Sequence, residues 1–118
     1  MHVYHETMGK KEFFKFIDVE GTVRLRFKIT VSLGRVSGVV VQLEINTGGE
    51  WRPVVRYDNA HGVLHRDMLD PAGSETKSVV QLPDFESFLS FSEQDLVDRW
   101  QWYRDVFLTK LRRQGRKR

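Results

Sequence analysis

The stretch TVRLRFKITVSLGRVSGVVVQLEI, residues 22–45, decides the fold. In its first half apolar and polar residues alternate from Val23 to Val31, which is the period of a strand with one buried side. The segment LGRVSG interrupts this alternation, which then resumes from Val39 to Ile45. Two alternating runs joined by a glycine-containing turn predict an antiparallel hairpin.

Further strands are predicted on both sides of this hairpin. Upstream, EFFKFIDV is apolar enough for a strand, although its aromatic residues also suit a short helix. Downstream, the turn signal NTGGE precedes a run from Trp51 to Asp58, in which Pro53 indicates an edge strand or a bulge. A last short strand is predicted from Thr76 to Leu82. The sum is an antiparallel β-meander of about five or six strands.

The C-terminal part predicts a long amphipathic helix. Its apolar stripe has helical spacing and comprises Leu96, Trp100, Tyr103, Phe107 and Leu111, widened by Val97, Trp102, Val106 and Leu108. Ser92 followed by Asp95 resembles a capping box and predicts where the helix starts. The predicted fold class is α+β, with the meander packed against this helix as one domain over residues 1–113 and a basic tail over residues 114–118.

Composition excludes several classes of protein. A chain of 118 residues makes one domain, and the absence of cysteine excludes disulfides, thiolate nucleophiles and Cys-ligated zinc. Residues 110–118 contain six basic residues and no acidic one, which suits either phosphate binding or a solvated helix end. Neither a membrane-spanning run nor a secretory leader is evident, so we expect a cytoplasmic protein without a membrane partner.

Polar residues are concentrated in RYDNAHGVLHRD, residues 56–67. A two-residue or four-residue loop at NAHG pairs Asp58 with Val63 and Arg56 with His65. Strand alternation then separates two sets of side chains. One face receives Arg56, Asp58, His65 and Asp67, and the other receives Val55, Tyr57, Leu64 and Met68, with Arg66 as a charged exception among them.

The first set of side chains suits acid–base chemistry. His65 exchanges protons near neutral pH, and a flanking carboxylate orients its tautomer. Arg56 suits a phosphate or a developing oxyanion, and Asp58 or Asp67 suits the role of base or orienting group. Together they satisfy the needs of metal-free RNA cleavage, in which the 2′-hydroxyl of the substrate is the nucleophile. No cofactor and no metal ion is expected in this interpretation.

Two other interpretations remain open at this point. His65 and Asp67 share a face and suit one metal ion, with Asp58 as a third ligand. His61 and His65 have the HxxxH spacing of a helix, but Gly62 disfavours a helix there. The same residues also suit a purely structural ladder of ion pairs, in which Asn59 and His61 occupy turn positions.

The motif resembles that of a group of small prokaryotic proteins with the pattern RYD, AHG, then His and Asp two residues apart, followed by DPAG-like and Lys elements. More distantly, RYDNA resembles the TumE-type toxins of toxin–antitoxin pairs. The resemblance implies a site at Arg56, Tyr57, Asp58, His61, Gly62, His65 and Asp67. The predicted catalytic residues are His65, Asp58, Asp67, Arg56 and His61, and the predicted substrate contacts are Tyr57, Arg66 and Lys77.

The leading functional hypothesis is a toxin-like, RNA-directed protein that acts as a metal-independent ribonuclease. Its expected partners are RNA and a cognate antitoxin-like protein, and the basic tail would add unspecific affinity for RNA. The alternative is a non-catalytic module that binds protein or nucleic acid, as a homodimer or through an exposed edge strand or helix.

Overall fold

Six antiparallel strands and one helix form the molecule, for which we use a computed structural model. It describes residues 8–59 and 62–115. The strands are β1 (Met8–Phe16), β2 (Val23–Ser32), β3 (Arg35–Thr47), β4 (Glu50–Asp58), β5 (His65–Leu69) and β6 (Glu75–Val79). They lie in one sheet in the order in which they follow along the chain, and the helix α1 spans Phe85–Gly115. The predicted α+β fold class and the meander are therefore confirmed.

The hairpin predicted from residues 22–45 forms the centre of the sheet. Leu25 lies opposite Leu43, and Phe27 lies opposite Val41, all fully buried or nearly so. The segment EFFKFIDV supplies most of β1, so the strand alternative holds and the helix alternative does not. At NTGGE, both Gly48 and Gly49 have positive φ, as a two-residue hairpin turn requires.

Pro53 lies beside a β-bulge rather than on an edge strand. The register between β3 and β4 shifts between Leu43 and Glu44, so Val54 has no partner across the ladder. A bulge tolerates the missing N–H of proline inside a sheet. Because the bulge changes the alternation locally, Val54 and Val55 are both buried although they are neighbours in sequence.

The helix covers one face of the sheet. Its buried positions include Leu96, Tyr103 and Phe107 of the predicted stripe, whereas Val97 and Trp102 are exposed, so the stripe is narrower than predicted. Tyr57 of β4 packs against the Phe88 ring, with centroids 5.8 Å apart. We call this side of the sheet the helix face and the other side the open face, on which no helix lies within the described residues.

The helix begins earlier than the sequence predicted. Its cap is Asp84, whose Oδ1 accepts a hydrogen bond of 2.7 Å from the Ser87 N–H. Ser92 lies inside the helix, fully buried, where its hydroxyl donates to the Phe88 carbonyl at 2.7 Å. The predicted capping box at Ser92 and Asp95 is therefore wrong, because both side chains have partners other than free helix N–H groups.

At its other end the helix runs to Gly115, and it is interrupted at Arg99, where φ is −122° and ψ is 16°. The described part of the chain contains no helical segment with both the length and the apolar character of a bilayer span.

Candidate functional site

Two rows of side chains cross the open face and build the site. In the first row, Arg26, Gln42, Arg56, Asp67 and Lys77 lie opposite one another on five consecutive strands. In the second row, Asp58 lies opposite His65, and Val40 and Val79 flank them on β3 and β6. The structure thus brings four of the predicted catalytic residues, Arg56, Asp58, His65 and Asp67, onto the same face.

The register that achieves this differs by two residues from the predicted one. Asp58 lies opposite His65 and Arg56 opposite Asp67, whereas the sequence predicted Asp58 opposite Val63 and Arg56 opposite His65. A shift of two residues preserves which face each side chain occupies, since the side-chain period of a strand is two. The loop between the strands, residues 59–64, is longer than predicted, and the Val80 N–H donates to the Leu64 carbonyl just before β5.

Asn59 fixes the end of β4 onto β3. Its side-chain oxygen accepts a hydrogen bond of 3.1 Å from the Val39 N–H, and its amide donates to the Ser37 carbonyl at 3.1 Å. These bonds lie close to the register shift between Thr30 and Val31, where β3 leaves its regular ladder with β2. The strand that positions Asp58 is held in place by a side chain next to it in sequence.

Three titratable side chains converge at the centre of the site, and we call them the Asp–His–Asp cluster. The His65 Nε2 atom lies 2.8 Å from the Asp58 Oδ1 atom and 3.6 Å from the Asp67 Oδ2 atom. All three residues are buried, although they lie on the open face. Each offers an atom within 4.8 Å of the atoms that the other two offer.

The imidazole orientation is set by the backbone. The His65 Nδ1 atom lies 2.9 Å from the Val63 carbonyl oxygen, which only accepts hydrogen bonds, so Nδ1 carries a proton. The Nε2 atom is then the one that faces the two carboxylates, and it either carries a second proton or offers a lone pair. Proton exchange or ion binding at this ring therefore takes place at Nε2.

Lys77 of β6 lies at the edge of the cluster. Its ammonium group donates to the Asp67 Oδ1 atom at 3.1 Å, and its side chain is 55% exposed. The hydrogen bond with Asp67 raises the pKa of Lys77, which therefore carries its charge throughout the neutral range. A predicted substrate contact thus lies beside the catalytic set, with a cation that solvent can reach.

Arg56 lies opposite Asp67 of the cluster and begins a chain of polar side chains across β3 and β2. Its Nε–H donates to the Gln42 side-chain oxygen at 2.9 Å, and the Gln42 amide donates to Glu44 at 2.7 Å. Glu44 in turn accepts from the Arg24 Nε–H at 2.7 Å. Gln42 and Glu44 are buried even though they point away from the helix, since these neighbours cover them. The alternation from Val39 to Ile45 puts Gln42 and Glu44 on the face opposite the apolar residues, but it does not predict that they are buried.

The structure does not bring Tyr57 and Arg66 into the cluster. Both lie on the helix face, opposite each other in the ladder between β4 and β5. The Tyr57 hydroxyl donates to Asp95 of α1 at 2.7 Å, and the Arg66 guanidinium donates to the Tyr103 hydroxyl at 3.2 Å. The sequence assigned them to substrate, but their described partners are residues of the helix. His61 lies outside the described residues.

The partners of Tyr57 form a polar network that sequence reasoning missed. Asp95 accepts hydrogen bonds from the hydroxyls of Tyr57 and Tyr103 on one carboxylate oxygen, and from the Arg99 Nε–H on the other at 2.7 Å. Burial alone would raise the pKa of Asp95, but these hydrogen bonds outweigh burial and lower it. Burial and the bond to Asp95 raise the pKa of both tyrosines. The network ties α1 to the sheet.

An aromatic patch lies on the open face at the other edge of the sheet. It consists of Phe14, Phe16 and Trp51 around Arg24, whose guanidinium carbon lies 4.0 Å from the Phe14 ring centroid and 3.9 Å from that of Trp51. Phe16 meets Trp51 edge to face at 5.9 Å. Phe14 and Phe16 are each about half exposed, at 46% and 55%. Exposed aromatic rings on an edge strand are typical of contact surfaces.

A family model named domain of unknown function (DUF7718) matches residues 8–113. The chain belongs to this family. The match covers all six strands of the DUF7718 chain and nearly the whole of α1. Neither a curated protein nor a solved structure matches the chain.

Proposed function

We propose that this DUF7718 chain is a toxin-like, RNA-directed ribonuclease that works without a metal ion. The observation that carries the proposal is the convergence of His65, Asp58 and Asp67 beside the solvent-accessible cation of Lys77. Acid–base groups beside a phosphate-binding cation are what cleavage of RNA by its own 2′-hydroxyl requires. The resemblance of the motif to those of prokaryotic proteins, including toxins, also supports the proposal.

In the proposed reaction, the 2′-oxygen of one nucleotide bonds to the adjacent phosphorus atom and the bond to the 5′-oxygen of the next nucleotide breaks. The hydrogen-bonded pair of Asp58 and His65 takes the proton of the 2′-hydroxyl and returns it to the departing 5′-oxygen. Asp58 has the most exposed side chain of the cluster, at 12%, so it is the member that meets the substrate. Asp67 orients the imidazole from the other side.

Cations on the open face would hold the substrate. Lys77 and Arg56 flank Asp67 in the first row, so they are placed to neutralise the phosphate at the point of cleavage. The basic C-terminal residues would add affinity that does not depend on RNA sequence. The proposal includes action in the cytoplasm and restraint by an antitoxin-like partner. Tyr57 and Arg66 have no direct role in it, because both are engaged on the helix face.

The test is cleavage of a fluorescent single-stranded RNA by the purified chain in excess EDTA. We expect cleavage products with 2′,3′-cyclic phosphate ends, and no cleavage when the scissile nucleotide lacks its 2′-hydroxyl. His65→Gln and Asp58→Asn should each reduce the rate by about 100-fold or more, the size of a lost acid–base group. Asp70→Asn is the control, because Asp70 is a partly buried carboxylate outside the cluster, with the Lys110 ammonium group 3.8 Å away.

Absence of cleavage by the wild-type chain in EDTA, or full cleavage by His65→Gln, would overturn the proposal. The melting temperature of each variant is measured in parallel. A variant that melts like the wild type and has lost cleavage supports a catalytic role, whereas one that melts lower and leaves any activity unchanged supports a structural role for His65.

The second candidate is a non-catalytic interaction module, and the aromatic patch favours it. Phe14 and Phe16 expose about half of their surface on β1, which is an edge strand of the sheet that the described residues form. Such an edge suits a second copy of the chain or another protein that adds a strand. A stable wild-type chain that leaves RNA intact, with His65 needed only for folding, would favour this candidate.

A further inference from the structure

We propose that the Asp–His–Asp cluster binds one divalent transition-metal ion of the Zn²⁺ type. The three ligands would be the Nε2 atom of His65, Oδ1 of Asp58 and Oδ2 of Asp67. This inference uses the same residues as the proposed ribonuclease, but it does not depend on RNA being the substrate. It concerns an ion bound between these three atoms.

The ligand atoms have the spacing of a metal site. Bonds of about 2.1 Å in a tetrahedral site place two ligand atoms about 3.4 Å apart. The two gaps from His65 Nε2, 2.8 Å to Asp58 and 3.6 Å to Asp67, lie on either side of that value. All three atoms fall within 4.8 Å of one another, so shifts of up to about an ångström would close them around one ion.

Hydrogen bonds to groups outside the cluster already orient His65 and Asp67. Metal-binding histidines commonly donate their other ring N–H to a backbone carbonyl, as His65 does to Val63 at 2.9 Å. Asp67 uses its second oxygen, Oδ1, to accept from Lys77 at 3.1 Å, which leaves Oδ2 directed at the imidazole. These contacts fix the ring tautomer and the carboxylate rotation that a metal site needs.

The charge of the cluster also favours a cation. With Nδ1 protonated, Nε2 faces the two carboxylates either with a second proton or with a lone pair, and in the second state the lone pair and the carboxylates repel each other. Asp58 and Asp67 are both buried, and the Lys77 ammonium group pairs with Asp67 from the exposed side. A divalent ion between Nε2 and the carboxylates would replace the repulsion by three bonds.

The donor set indicates which ions fit. One imidazole and two carboxylates suit Zn²⁺ and similar first-row ions, whereas Mg²⁺ prefers oxygen ligands in octahedral geometry. Three protein ligands leave a fourth position of a tetrahedral site for water. An ion bound here would occupy Nε2, so the metal-bound chain could not carry out the proton exchange that we propose for RNA cleavage.

The experiment measures binding of Zn²⁺ to the full chain, purified without a histidine tag and with His2 and His5 replaced by Gln to remove competing histidines. We expect one Zn²⁺ per chain by elemental analysis after dialysis, and no comparable retention of Mg²⁺. The melting temperature should rise by roughly 10 °C when free Zn²⁺ exceeds the Kd by 100-fold, since binding to the folded state alone stabilises it.

Matched variants assign the ion to the cluster. Asp67→Asn and His65→Gln should weaken Zn²⁺ binding by at least about 100-fold, the loss expected for a ligand, while Asp70→Asn should bind as the parent chain does. Asp67→Asn keeps the size of the side chain, so it guards against the case in which His65→Gln fails to fold. Unchanged stoichiometry in both cluster variants, or no retained Zn²⁺ in the parent chain, overturns the inference.

The outcomes separate this inference from the proposed function. Cleavage of RNA in EDTA without Zn²⁺ binding would leave the ribonuclease proposal standing and remove the metal site. Zn²⁺ binding by a chain that never cleaves RNA would support the metal site and overturn the ribonuclease proposal. If both hold, Zn²⁺ should inhibit cleavage at the concentrations at which it binds, and EDTA should restore it.

Discussion

At the scale of single residues, strand alternation predicted more of the site than the turn did. The alternation in RYDNAHGVLHRD assigned Arg56, Asp58, His65 and Asp67 to one face, and this assignment holds after the register correction of two residues. The length of the loop was beyond sequence reasoning, because it depends on the hydrogen bond from the Val39 N–H to the Asn59 side chain and on the contact between the Val63 carbonyl and the His65 ring. Only coordinates show that the Val63 carbonyl selects the His65 tautomer.

Asp95 shows where sequence reasoning fails, since one of its partners, Tyr57, lies 38 residues away in the sequence. Its spacing from Ser92 suggested a helix cap, but its carboxylate accepts from Tyr57 and Tyr103 instead. The hydrogen bonds lower its folded pKa below the ordinary 3.8, so its contribution to stability is present above pH 3.8 and is lost as pH falls through the folded value.

We expect Asp95→Asn to lower the free energy of unfolding at pH 7 by about 2–3 kcal/mol, because the acceptor loses its charge and an amide offers one acceptor oxygen to three donors where the carboxylate offers two. The difference in the free energy of unfolding between the wild type and this variant should become smaller as pH falls below about 3.8. Urea unfolding at several pH values measures the loss at pH 7 and its dependence on pH. Asp98→Asn is the control, since Asp98 is exposed on the same helix, and a comparable loss there would contradict the argument.

At the scale of elements, hydrophobic periodicity predicted the type of each segment better than its ends. The stripe from Leu96 to Leu111 marks a helix correctly, but it does not extend back to PDFES, residues 83–87, where the helix starts. The start is set by Asp84, whose carboxylate caps the first turn and whose pKa is lowered by the backbone and side-chain hydrogen bonds from Ser87.

The position of the cap can be tested by stability. Asp84→Ala should lower the free energy of unfolding, as loss of an N-cap usually does, with a fall of about 4 °C in the melting temperature. Glu86→Ala, an exposed acidic neighbour in the first turn, should have a smaller effect. An unchanged melting temperature for Asp84→Ala would place the functional start of the helix elsewhere.

At the scale of the whole molecule, the sheet has two faces with different roles. The helix face holds the apolar core, whereas the open face carries a continuous row of polar side chains from Arg26 to Lys77 across five strands. The sequence predicted this division, since period-two alternation is a local property. It did not predict the burial of the Asp–His–Asp cluster, because that burial depends on neighbours contributed by several strands at once.

The distribution of charge over the whole chain gives the last prediction, which rests on the proposed RNA binding. Arg112 and Arg113 are exposed at the C-terminal end of α1, whereas Arg35 adjoins the residues around the other end of the helix. Each phosphate contact in single-stranded RNA contributes about 0.7 to the slope of log affinity against log salt. Arg112→Gln with Arg113→Gln should therefore reduce that slope by about 1.4, as measured by fluorescence anisotropy over a range of salt concentrations.

The matched control replaces Lys11 and Arg35, two exposed cations remote from this end of the helix, by Gln. It makes the same change in net charge, so it separates a local phosphate contact from a general effect of charge. Equal loss of slope in the two double variants would show that the C-terminal cations act only through net charge. A lower slope confined to the C-terminal pair, with the cleavage rate of bound RNA unchanged, would place substrate affinity and bond cleavage on different parts of the molecule.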